Sequence, residues 1–166
     1  MRSIVTSALF EALPGRGYAA LRFNFRGVEG SSGSWGEGLA EPLDVVGALD
    51  TLVSDVGPHV PVAVVGWSFG ADMTFSVVDP RIAAWEGIAA PLRFGSAYAV
   101  ADDPRPKHLV LAAHDEFREP DSVIAEVAAW TNTTHEVITG ASHFFVGRTD
   151  RVVDATDRFV SSIASS

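Results

Sequence analysis

The sequence predicts an α/β protein: a mostly parallel sheet with helices on both faces. Three observations carry that expectation. Strand-like and helix-like stretches alternate along the chain. The run "PVAVVGW" at 61–67 is continuously apolar rather than alternating, which marks a strand buried on both faces. Polar residues collect just past the expected strand ends, where open α/β sheets build their sites.

The elements follow in order. Residues 3–13 place Ile4, Val5, Ala8, Leu9, Ala12 and Leu13 at helical spacing, and Pro14 and Gly15 end the helix. "GYAALRFNFRG" reads as a strand, with Tyr18, Ala20 or Leu21, Phe23 and Phe25 favouring extended backbone. "EGSSGSWGEG" is too rich in glycine and serine for anything but loop. Residues 39–56 read as a helix with Leu43, Val46, Leu49, Leu52 and Val53 on its apolar face, stopped by Gly57 and Pro58. After the 61–67 strand, a helix is expected over 69–78. "IAAWEGIAAP" fits a strand or part of a helix. "KHLVLAAHDEF" is a short buried strand with polar residues beyond it. "DSVIAEVAAWT" reads as a helix, "THEVITGASHFF" as strand and loop, and "RVVDATDRFVSSI" as a closing helix, with "SSIASS" a frayed end.

The 166 residues suffice for one domain with a core, so 1–166 is read as a single unit. The net charge of -9 argues against nucleic acid or an anionic membrane as partner. The chain has no cysteine, which excludes disulfides and thiolate metal sites. No apolar run reaches the 18 or so residues of a membrane span. Glu11 and Pro14 interrupt the apolar start, so it is not read as a signal peptide. A cytoplasmic, soluble protein is the expectation.

Gly66-Trp67-Ser68-Phe69-Gly70 is a G-x-S-x-G motif between a buried strand and a helix. Such a turn is tight enough to strain the serine backbone, and both glycines are expected to relieve crowding. The strain lifts the hydroxyl to the top of the sheet, and the Phe69 N–H faces a developing oxyanion. A serine needs a base. His59, His108 and His135 lie before or at the start of strands, at the wrong end of the sheet. His114 sits at a strand end but directly before Asp115. His143 lies in "TGASHFF", after the last strand, and is the candidate base. Asp115 is the candidate acid, with Glu116, Asp102 and Asp103 as weaker rivals. The chain order Ser68, Asp115, His143 is that of the α/β-hydrolases, not of the chymotrypsin-like or subtilisin-like enzymes.

These residues resemble the α/β-hydrolase superfamily, and in particular its small bacterial members related to dienelactone hydrolases and acyl-peptidase-like enzymes. "GYAALRFNFRGVEGSSGSW", "VVGWSFGAD", "LVLAAHDEFREP" and "ITGASHFF" carry the likeness, which spans nearly the whole chain. The resemblance implies Ser68 as nucleophile, Asp115 as acid and His143 as base. It also implies a further central strand, and an oxyanion-donating loop after it, ahead of the first helix. The sequence begins at that helix, so the sheet is expected to be N-terminally truncated. The strands ending near Phe25 and Gly66 then either pair directly or leave backbone unpaired. Loss of one oxyanion donor costs about 3 kcal/mol, so low turnover is expected. An unpaired edge would favour a homodimer.

The expected function is a serine hydrolase cleaving a small acyl ester or thioester, through an acyl-enzyme. The alternatives are a catalytically weak binding relic of the same fold and an acyltransferase. No cofactor is expected. "GVEGSSGSWGEG" matches no phosphate-binding pattern, and His108 and His114 lack metal-ligand spacing. Arg16, Arg22 and Arg26 suggest an anion site, and Arg26, past a strand end, is nearest the pocket, where it either orients a substrate carboxylate or pairs with a loop acid such as Glu29 or Glu37. Trp67, Phe69, Phe144 and Phe145 either line an acyl pocket or fill the core. Trp35 and Trp85 carry no readable signal.

Overall fold

The computed structural model describes residues 3–95 and 98–164. Four strands, β1 (Val62–Trp67), β2 (Ile82–Ile88), β3 (Lys107–Ala112) and β4 (Thr133–Ile138), form one parallel sheet in the order β1-β2-β3-β4. The helices are α1 (Ile4–Ala12), α2 (Pro42–Val56), α3 (Phe69–Phe75), α4 (Pro120–Val127) and α5 (Thr149–Ala164). Parallel neighbours need crossover connections, which put helices on both faces. Two cores result. Val45 and Leu49 of α2, Ala71, Met73 and Phe75 of α3, and Val123 and Val127 of α4 pack on one face. Val5 and Leu9 of α1 and Val152, Val153 and Ala155 of α5 pack on the other. This is the expected α/β architecture, a parallel sheet with helices on both faces.

Local chemistry accounts for the element ends. The Ser3 side chain caps α1 by accepting the Thr6 N–H. Pro42 and Pro120 occupy the first turns of α2 and α4, where a missing N–H costs nothing. Gly87 lets the Phe75 ring lie directly on β2, since any Cβ there would overlap the ring. The segment 82–88, ambiguous in sequence, is a strand because it is flanked by β1 and β3 on both edges.

Several expectations are corrected. Residues 18–25 form no strand. Their neighbour in space is not a strand edge within hydrogen-bonding reach but a cavity, and β1 lies on its far side. Helix α2 begins at Pro42 rather than residue 39, and Leu43 is 67% exposed, so its buried stripe runs through Val45 and Leu49 instead. Helices α3 and α4 are shorter than expected, ending at Phe75 and Val127. The C-terminal residues 161–164 continue α5 rather than fraying, while 165–166 lie outside the described residues. Among the described residues, no helix is long and apolar enough to cross a membrane.

Glu86, in the middle of β2, was not singled out by sequence. It is fully buried, and neither carboxyl oxygen has a hydrogen-bond partner. The Thr156 hydroxyl on α5 faces it without reaching hydrogen-bond geometry, and Glu136 on β4 adds a repulsive charge. Burial, helped by Glu136, pushes its pKa from 4.5 to about 8. The native state therefore holds a proton that the unfolded chain has released between those values. Stability is fully present below pH 4.5 and falls as pH rises toward 8, at up to about 1.4 kcal/mol per unit. Denaturant unfolding of Glu86→Gln across pH 5–8 should show this slope flattened and the protein more stable than wild type at the upper end. An unchanged slope would assign the pH dependence to other groups.

Candidate active site

The site is built at the carboxyl ends of β1, β3 and β4. Ser68 follows β1 directly and takes φ 53°, ψ -125°, a strained conformation for a non-glycine residue. Its N–H donates to the Ile88 carbonyl and its own carbonyl accepts from Ala71, so both sides of the turn are fixed. Gly66 is what permits the turn. A Cβ there would come within 2.6 Å of the Ala71 nitrogen and closer still to the Gly70 carbonyl. Gly70 differs from the expectation. A Cβ at that position would meet only the Phe25 ring at 3.7 Å, ordinary contact, so crowding explains one glycine of the motif and not both.

The structure brings the three sequence-selected side chains together. His143 Nε2 lies 2.9 Å from Ser68 Oγ, and His143 Nδ1 lies 2.8 and 3.0 Å from the two Asp115 carboxylate oxygens. His143 is only 4% exposed. Asp115 Oδ1 also accepts the N–H groups of Phe117 (2.9 Å) and Arg118 (3.2 Å). Burial raises the Asp115 pKa, but the hydrogen bond from His143 and these backbone donors outweigh it, so the carboxyl titrates below its ordinary value. It stays ionised at neutral pH, as a group orienting an imidazole must.

The rivals are elsewhere engaged. Asp103 pairs with Arg105, which holds its carboxyl at about 2. His108 and His135 sit on β3 and β4, and His59 precedes β1. Arg26 pairs with Asp44 of α2, so it plays a structural role with a partner that sequence did not name. Phe145 is fully buried core, whereas Phe144 is partly exposed beside the site. Trp35, unassigned in sequence, packs on Phe69, 4.7 Å between ring centroids.

Sequence missed what holds the histidine. The Glu116 carboxylate accepts the His143 backbone N–H at 3.1 Å, and the Trp67 indole N–H donates to the His143 carbonyl at 3.1 Å. Glu116 thus acts beside Asp115 rather than in its place. The signal was present as two adjacent acids, but only the fold shows that they reach different atoms of one residue. Phe117, Trp67 and Phe144 surround the imidazole, with the Phe117 ring 4.6 Å from it. On the other side of Ser68, Phe25, Trp35 and Phe94 surround Phe69. Buried Asp72 of α3 fixes that wall by accepting the N–H groups of Leu92, Arg93 and Phe94. Among the described residues, no group of three or more potential ligands is placed to hold a metal ion.

No protein-family model matches the chain. An uncharacterised protein from Rickettsia prowazekii is 29% identical over 177 residues, covering 100% of this chain and 74% of that protein. A protein of unknown function and candidate α/β hydrolase from Agrobacterium tumefaciens superposes with TM-score 0.83 at 25% identity, covering 96% of this chain and 76% of that one. An α/β serine hydrolase homologue from Coxiella burnetii gives TM-score 0.82 at 28% identity, covering 95% and 76%. The fold is therefore that of the α/β-hydrolase superfamily. The hydrogen-bonded Ser68, His143 and Asp115 at the turn after β1 form the triad arrangement of a serine hydrolase acting on an acyl substrate.

A hydrogen bond between a backbone N–H and a carboxylate contributes about 1.5–3 kcal/mol. Replacing Glu116 with alanine should loosen the His143 loop and lower kcat roughly tenfold with KM nearly unchanged, since no substrate contact is lost. Steady-state kinetics checks this. An unchanged kcat would show that Asp115 and Trp67 suffice to place the ring.

Proposed function

We propose that this chain hydrolyses carboxylic esters through an acyl-enzyme on Ser68. The observation that carries the reading is the continuous hydrogen-bonded chain from Ser68 through His143 to an ionised Asp115. His143 Nε2 takes the Ser68 proton as Oγ attacks the acyl carbonyl, while Asp115 holds the Nδ1 proton and steadies the imidazolium. The tetrahedral oxyanion is met by the Phe69 N–H, which opens α3 and has no acceptor within that helix. Collapse expels the alcohol, which leaves with the proton from His143. Water then gives its proton to His143 and attacks the acyl-serine, and the acid departs with Ser68 restored.

The aromatic walls on either side of Ser68 favour small apolar or aromatic esters. The finer likeness to dienelactone-hydrolase-like and acyl-peptidase-like enzymes is part of this proposal, as are action without a cofactor and the folding of residues 1–166 as one unit. An ester panel against an acylated peptide anilide separates the two subfamily readings.

Hydrolysis of p-nitrophenyl acetate and butyrate tests the function. Ser68→Ala should fall to the uncatalysed background. Asp115→Asn should lose on the order of 10³–10⁴ in kcat, because the imidazole loses its tautomer and orientation. Both variants should unfold at temperatures close to wild type. Activity persisting in folded Ser68→Ala would place the chemistry elsewhere. A folded wild type inert to every ester and to the anilide would favour the binding-protein alternative.

A further inference from the structure

Ester hydrolysis at Ser68 fixes which side of the serine each half of the substrate occupies. The leaving oxygen must reach His143 Nε2 to take its proton, so the alcohol lies along Trp67, Phe117 and Phe144, which surround the imidazole. The acyl chain then runs the other way, along Trp35, Phe69 and Phe94. That wall is apolar until its far end. There the Arg93 guanidinium carbon lies over the Phe94 ring, 4.9 Å from its centroid, and the Phe94 ring lies 5.2 Å from that of Phe69.

Among the described residues, Arg16, Arg26, Arg81, Arg105, Arg118 and Arg158 each meet a carboxylate. Arg93 makes no ion pair among them, in a chain whose net charge is -9. Its side chain is exposed, yet its backbone is held on both sides. Buried Asp72 accepts the Arg93 N–H at 2.9 Å, and Arg118 donates to the Pro91 and Leu92 carbonyls just before it. Leu92 sits at φ 49°, a left-handed conformation that a leucine keeps only where contacts enforce it. The Asp72 carboxylate does not compete for the guanidinium, because the N–H groups of Leu92, Arg93 and Phe94 already occupy it beneath the loop. A guanidinium over a ring face keeps its N–H edge for a planar anion, which it can bind through two parallel hydrogen bonds.

We infer, building on ester hydrolysis at Ser68, that Arg93 binds a carboxylate at the far end of the acyl group and selects half-esters of aliphatic dicarboxylic acids. The rings of Phe69 and Phe94 take the methylene stem, and Arg93 takes the terminal charge. An extended eight-carbon acyl chain spans roughly 8 Å, which suits a wall of two rings. The anion-binding role that Arg26 loses to Asp44 thus falls to Arg93.

Mono-p-nitrophenyl suberate and p-nitrophenyl octanoate, equal in chain length and leaving group, test it. Arg93→Gln should lower the ratio of kcat/KM for the suberate over the octanoate by about tenfold or more, carried by KM. Arg93→Lys keeps the charge without the fork and should give an intermediate ratio. Arg158→Gln removes the same charge from α5 and should leave the ratio as in wild type. A ratio unmoved by Arg93→Gln, or lowered as far by Arg158→Gln, overturns the proposal and leaves ester hydrolysis standing. Calorimetry separates the site from turnover. Monomethyl suberate should bind folded Ser68→Ala about tenfold or more tightly than it binds the same protein carrying Arg93→Gln. That difference, with neither aryl ester hydrolysed by wild type, would support the anion site and count against the hydrolase reading. Equal binding to the two proteins overturns the proposal.

Discussion

The closeness of β1 and α3 at Gly66 is the constraint on which the site depends. The chain reverses from strand to helix with no room for a Cβ at residue 66. That reversal forces Ser68 to positive φ. Strain of this kind persists only where surrounding contacts over-determine it. Here the Ile88 carbonyl holds the serine N–H, and the buried residues 71–75 of α3 lock the following helix into the core. The hydroxyl is thereby fixed before any substrate arrives, which is how a fold contributes to catalysis without moving.

The histidine is fixed by different means. Its loop has no secondary structure to stiffen it, so four polar contacts do so. Ser68 and Asp115 hold the two ring nitrogens, while Glu116 and Trp67 hold the backbone N–H and carbonyl. The aromatic rings of Phe117 and Phe144 close around the imidazole. Arg118 ties the acid loop to the loop after β2 by donating to the Pro91 and Leu92 carbonyls, and it pairs with Glu126 of α4. Loops after β2, β3 and β4 are thus joined around one imidazole, and each is anchored to a different part of the sheet.

The parts of this arrangement set by local pattern were legible in the sequence. The apolar run before Gly66, the G-x-S-x-G turn and the order of Ser68, Asp115 and His143 all follow from spacing along the chain. What depended on distant partners was not. The 18–25 segment has strand composition, but a strand exists only where another edge pairs with it, and composition cannot report that. Leu43 fits a helical stripe on paper, yet the helix begins only one residue earlier and turns that side outward. Arg26 needed a partner acid, and Asp44 meets it from a helix 18 residues further along the chain, which spacing in the sequence does not point to. Glu86 reads as an ordinary polar residue within a strand. Only its neighbours on both faces make it a buried carboxyl.

The claim at the centre is that Ser68 is activated by His143. Labelling with a fluorophosphonate, followed by peptide mass spectrometry, tests it most directly, because the reagent reports nucleophilicity without requiring the right substrate. The account predicts a single modified residue, Ser68, with labelling slowed at least a hundredfold in a folded His143→Ala protein. Labelling of Ser68 at the same rate in that variant, or none in the wild type, would contradict it.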